Sequence, residues 1–153
     1  MDITLTSLET EHSALLKAKI ASQIASQGGW LPFSRYMEMA LYEPGMGYYS
    51  AGAHKLGAGG DFTTAPELSP LFGAAICSTL LPVLEGFKDK GLPTQILEFG
   101  AGTGKLATSI LSRLNDLGFQ LDRYDIIEIS PDLAQRQQER IDATVKQLHL
   151  KTQ

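Results

Sequence analysis

The sequence has little cysteine, few histidines, no surplus of positive charge and no long apolar run. Each shortage excludes something. Cys77 is the single cysteine in 153 residues, so an intramolecular disulfide scaffold is impossible. His12, His54 and His149 are isolated from one another in the sequence, so neither a metal centre nor a histidine relay is expected. Lys plus Arg number 13 against 17 Asp plus Glu, a net charge of −4, and the isoelectric point is about 5.3. A nucleic-acid binder working through bulk charge is therefore not expected. No window approaches the ~18 consecutive apolar residues of a spanning helix. The richest stretch, Leu71 to Leu84, is interrupted by Gly73, Ser78, Thr79 and Pro82, and no membrane segment is expected. The start, Met1-Asp2-Ile3-Thr4-Leu5, lacks both a basic-then-apolar signal and an Arg-rich transit pattern. With a lone thiol, the expected location is cytoplasmic. Hydrophobic residues make up 43%, too many for a disordered chain.

What is present in excess is glycine, 15 of 153, against an average near 7%. Its placement is uneven. A helix is predicted over about 6–27, with Thr6 and Glu9 at capping-box spacing, Leu8, Leu15, Leu16, Ile20 and Ile24 at helical intervals, and Gly28-Gly29 as the stop. A second helix is predicted from Phe33 to Tyr42, with Phe33, Met37, Ala40 and Leu41 on one side. Residues 45–70 then carry dense turn chemistry, a long loop of the kind that is usually functional. Ser69 and Pro70 predict a third helix as N-cap and first-turn proline, and Cys77 within it reads as a small buried hydrophobe.

After Lys88-Asp89-Lys90-Gly91 the pattern changes. Thr94–Phe99 reads as a buried strand and Gly100-Ala101-Gly102-Thr103-Gly104 as a tight turn. Lys105–Leu117 reads as a helix stopped by Gly118, and Tyr124–Ile129 as a second strand. A last helix opens at Ser130-Pro131, with Leu133, Ile141, Val145 and Leu148 as its apolar positions. Strand, glycine turn, helix and strand make a βαβ unit with a parallel sheet. The expected division is a helical and Gly-rich region over 1–92 followed by the first part of a Rossmann-like domain over 93–153.

A glycine turn feeding a helix lets a ligand approach main chain and points the positive helix end at an anion. Glu98 precedes the turn. Glu128 follows Gly104 by 24 residues, where a Rossmann-type site carries the acid that accepts from ribose hydroxyls. A phosphate-binding P-loop does not fit: Phe99 stands at its first glycine and Leu106 at its magnesium-holding hydroxyl. A dinucleotide turn fits imperfectly, because its third glycine falls on Lys105.

The spacing acid-x-Gly-x-Gly-x-Gly resembles the first motif of class I S-adenosylmethionine (SAM)-dependent methyltransferases. A narrower resemblance rests on several blocks in order. These are Tyr36-Met37-Glu38-Met39-Ala40-Leu41-Tyr42-Glu43-Pro44, Gly47-Tyr48-Tyr49, Gly60-Asp61-Phe62-Thr63-Thr64-Ala65-Pro66-Glu67-Leu68-Ser69 and Phe72-Gly73. Leu97 to Gly104 and Ile127-Glu128-Ile129-Ser130 with Leu133 follow. Over about residues 15–140 the chain resembles the MidA-type SAM-dependent methyltransferases, a family that includes the mitochondrial arginine methyltransferase of complex I assembly. The resemblance implies an α/β, Rossmann-like class I methyltransferase fold, here incomplete, with a helical and loop N-terminal region. It implies SAM as cofactor, held by Glu98, Gly100, Ala101, Gly102, Gly104, Glu128 and Ile129. Asp61, Phe62, Thr63, Thr64, Pro66 and Glu67 would fold over the same pocket. It implies methyl transfer to a protein side chain, with arginine the family-level expectation. The family sheet is wider than the two strands found, so the chain reads as the opening portion of a longer enzyme. Two alternatives stay open: a non-catalytic binding or assembly module, and a nicotinamide-dependent oxidoreductase.

Overall fold

The computed structural model describes residues 7–51 and 63–148. In chain order the elements are α1 (Ser7–Ser26), α2 (Phe33–Tyr42), α3 (Ala65–Leu68), α4 (Pro70–Asp89), β1 (Gln95–Phe99), α5 (Lys105–Asp116), β2 (Arg123–Ile127) and α6 (Pro131–Gln147). They fall into two compact units, Met1–Ala53 and His54–Gln153. This division lies well before the expected one at 92/93, because α4 packs on α5 and so belongs with the strands.

In the first unit α1 and α2 pack together. Thr6 lies outside the described residues, and with it the expected capping box. The glycine stop is as expected: Gly28 and Gly29 have φ of 78° and 92°, and the Gly29 N–H donates to the Ile24 carbonyl at 2.9 Å, the long-range bond of a Schellman motif. On α2 the expected apolar side is displaced. Met39 is buried, whereas Phe33 is 74% exposed and stacks on Tyr36 at 6.0 Å. Beyond α2 the chain doubles back, with Tyr48 N–H donating to Ala40 and Tyr49 N–H to Leu41, both at 2.8 Å. Gly47 makes this possible: a Cβ there would lie 2.5 Å from the Glu43 nitrogen, which is backbone and cannot yield. Tyr49 then stacks on Tyr42.

In the second unit β1 and β2 pair in parallel, from Gln95 opposite Arg123 to Phe99 opposite Ile127. The strands are shorter than expected, which leaves Glu128 and Ile129 just past the end of β2. One face of the sheet joins the core through Ile96 and Tyr124, which pack against Cys77 and Leu84 of α4, Ile110 and Leu114 of α5, and Phe119. Cys77 is fully buried there, and burial pushes its thiol pKa up. On the other face Leu97, Phe99 and Ile127 are about half exposed or more.

Local signals explain the helix ends. The Ser69 hydroxyl accepts from Leu71 N–H ahead of Pro70, and the Ser130 hydroxyl accepts from Leu133 N–H ahead of Pro131. Gly118 at φ 70° closes α5, with Phe119 N–H donating to Leu114 at 2.9 Å and the two side chains meeting in the core. At the opposite end of the strands from the glycine turn, the Asp122 carboxylate accepts from the Thr94 amide at 2.7 Å and its hydroxyl at 2.9 Å. These bonds hold the Asp122 carboxyl below its ordinary value.

α4 modifies one expectation. By length and composition alone its twenty residues could cross a membrane, despite the interruptions seen in the sequence. Within this unit its Gly73, Cys77 and Leu84 are buried.

Candidate functional site

The site begins where β1 ends. Gly100, Gly102 and Gly104 take φ of 63°, 56° and 75°, left-handed conformations that glycine adopts without the cost a side chain would add. The turn is tied to the sheet by the Gly100 N–H, which donates to Ile127 at 2.9 Å, and closed on itself by Gly104 N–H to Ala101 at 2.8 Å. Gly104 is the N-cap of α5 and brings no side-chain cap, so the positive end of that helix is closed by backbone alone and suits an anionic group.

Three acids surround the turn, each from a different element. Glu98, on the core-facing side of β1, accepts from the Tyr124 hydroxyl at 2.7 Å. Burial outweighs that hydrogen bond and raises the Glu98 pKa; burial and the same bond push the Tyr124 hydroxyl far up. Glu128 follows β2. One of its oxygens accepts from Ser130 N–H and the other from the Gln137 side chain, both at 2.9 Å. Gln137 also donates to the Gly102 carbonyl at 2.9 Å, so Glu128 and the glycine turn are joined through one amide. Ile129, beside Glu128, is 68% exposed.

Glu67 arrives from α3. Its carboxylate accepts from the Thr103 hydroxyl in the turn and from the Lys105 ammonium at 3.3 Å; Lys105 also donates to the Glu67 carbonyl at 3.0 Å. Burial is the strongest single influence on Glu67 and works to raise its pKa. The bonds from Thr103 and Lys105, with the charges of Lys105 and Arg140, outweigh it and hold the carboxyl below its ordinary value. Lys105 opens α5, where its charge opposes the helix dipole, and Glu67 offsets it. Lys105 is thus a tie to α3.

The structure therefore brings Glu98, Gly100, Ala101, Gly102, Gly104, Glu128 and Glu67 into one neighbourhood. Thr63 and Thr64 are exposed ahead of α3, and Pro66 lies in its first turn, so the end of the expected long loop is a single helical turn. Asp61 and Phe62 lie outside the described residues, as do His54 and His149. Sequence reasoning missed Thr103, Lys105, Tyr124 and Gln137. For Gln137 a signal existed: it interrupts the apolar stripe Leu133, Ile141, Val145 at a core-facing helical position. A groove of about 650 Å³ between α5, β2 and α6 shares Glu128 and Gln137 with this neighbourhood.

Chemically, the arrangement offers a backbone-lined seat for a carboxylate at α5 and an acceptor of hydroxyl protons at the end of β2. The family model described as S-adenosyl-L-methionine-dependent methyltransferase matches residues 75–152, and the chain belongs to this family. Among solved structures it is similar to a Burkholderia thailandensis protein bound to S-adenosyl-homocysteine. The two are 44% identical with a TM-score of 0.81, covering 97% of this chain and 38% of that one. A native structure of a superfamily protein from the same organism is 42% identical with a TM-score of 0.75, covering 97% and 36%. Among curated proteins it is similar to the mitochondrial protein arginine methyltransferase NDUFAF7 of Danio rerio, 35% identical over 132 residues, 84% of this chain and 30% of the relative. The Homo sapiens protein of that name is 33% identical over 113 residues, 71% and 25%. The chain spans about 30% of the length of such relatives.

These relatives overturn the expected cytoplasmic location, since they carry mitochondrial names. The signs behind that expectation, a lone thiol and the composition of the first residues, do not separate one reducing compartment from another.

Proposed function

We propose that this chain carries the donor-binding portion of a SAM-dependent methyltransferase acting on a protein side chain, with arginine the favoured acceptor. The observation that carries the reading is the glycine turn between a parallel strand and α5, with Glu128 linked to it through Gln137. Membership of the family supports the donor, and the names of the curated relatives support the acceptor. When bound, SAM supplies an electrophilic methyl carbon for in-line displacement. The residues here hold and orient the donor: the start of α5 receives its carboxylate, and Glu128 accepts from its ribose hydroxyls. Exact alignment is the main contribution such a site makes to rate.

Titration calorimetry with S-adenosyl-homocysteine tests this. The chain is expected to bind it, and Gly102→Val is expected to abolish binding while the far-UV spectrum is kept, since a β-branched residue does not tolerate φ of 56°. Binding of NADH with none of S-adenosyl-homocysteine would refute the reading, and unaltered affinity in Gly102→Val would refute the placement. A second reading, a binding or assembly module, draws on the exposed Leu97, Phe99 and Ile127; it predicts protein association without donor binding.

A further inference from the structure

Three polar residues are buried among the described residues: Thr94, Ser130 and Gln137. Thr94 clamps the strands at the far end from the turn and Ser130 caps α6. Gln137 does neither. It lies in the middle of α6, 3% exposed, at a position where Leu133 and Ile141 one turn to either side are apolar. A buried amide there costs desolvation that a leucine would not, so packing alone gives no reason for it.

Its contacts do. Nε2 donates to the Gly102 carbonyl and to the Glu128 carboxylate, each at 2.9 Å. Both amide hydrogens are committed to these two oxygens, and the orientation of the group follows. The backbone is close as well: a Cβ on Gly104 would sit 3.4 Å from the Gln137 Cα. One side chain on α6 thus holds the turn after β1 and the acid after β2 at a set separation. The other Glu128 oxygen is held by Ser130 N–H, which leaves the carboxylate's remaining lone pairs in defined directions.

We propose that Gln137 is a positioning residue of the donor site, anchored on the Gly102 carbonyl and aiming Glu128 at the ribose hydroxyls. This rests on the reading that Glu128 accepts from the ribose. The role differs from a packing role in one measurable way: it acts on the ribose and not on the whole ligand.

The experiment compares S-adenosyl-homocysteine with its 2′-deoxyribose analogue by calorimetry, on the wild-type chain, Gln137→Leu and Gln137→Met. The wild type is expected to prefer the ribose form by about tenfold or more, the usual consequence of leaving a built acceptor unpaired. Both variants are expected to bind S-adenosyl-homocysteine about tenfold more weakly and to show a preference below about threefold. A folded variant that loses affinity equally for both ligands, or keeps wild-type affinity, overturns the proposal. So does failure of both variants to retain the wild-type far-UV spectrum, which makes Gln137 a structural residue. Absence of S-adenosyl-homocysteine binding in the wild type overturns instead the donor-site reading on which the proposal rests.

Discussion

Gly73 on α4 offers a test of helix packing in which two opposing effects have known sizes. A Cβ built on it would lie 2.4 Å from the Cβ of Ser109 on α5. Carbon atoms in contact sit about 3.5–4.0 Å apart, so Gly73→Ala requires the two helices to part or slide by more than an ångström. Ser109 cannot turn away: its Cβ is part of the helix frame, and its hydroxyl is held by the Lys105 carbonyl at 2.8 Å. Overpacking of this kind costs about 1–3 kcal/mol. Against it, alanine in a helix interior is favoured over glycine by about 1 kcal/mol. The expected net effect of Gly73→Ala is a loss of about 1 kcal/mol. Ser109→Gly is expected to lose about 0.5 kcal/mol, the smaller propensity gap between serine and glycine. In the double variant the contact survives with the Cβ moved to the other helix, and stability is expected to return near wild type. The coupling between the two sites is then about 1–3 kcal/mol. Urea unfolding followed by circular dichroism at constant m-value measures all four corners. If Gly73→Ala raises the midpoint, or if the single losses add in the double variant, the close contact does not govern this interface.

Leu114→Ala removes a 1%-exposed side chain from the point where the α5 stop meets the core. It is expected to cost about 2–5 kcal/mol, read as a lower urea midpoint. Glu98→Gln is expected to stabilise the chain near neutral pH. The folded carboxyl has a raised pKa, so it binds its proton more tightly than in the unfolded chain. The stability it contributes is full below the unfolded value of about 4.5 and is lost as pH rises through the higher folded value. The midpoint difference between Glu98→Gln and wild type is therefore expected to grow from pH 4 to pH 7; a constant difference would contradict the burial argument.

The elements that sequence alone determined are those set by neighbours a few residues apart. Ser69-Pro70 and Ser130-Pro131 begin helices because a hydroxyl reaches an amide two or three residues on. Gly28 and Gly118 end them because only a left-handed residue lets the next amide reach back. The left-handed turn at Gly100, Gly102 and Gly104 was legible for the same reason. What tertiary structure decided concerns residues far apart in the chain. The tie of Glu67 to Lys105 spans 38 residues, that of Gln137 to Gly102 35, and that of Tyr124 to Glu98 26, and no periodicity encodes such partners. Apolar spacing on α2 could not choose Met39 over Phe33, because it defines a face and not what covers it. The packing of α4 on α5 is likewise a tertiary matter, helped by a glycine that lets the two helices come close.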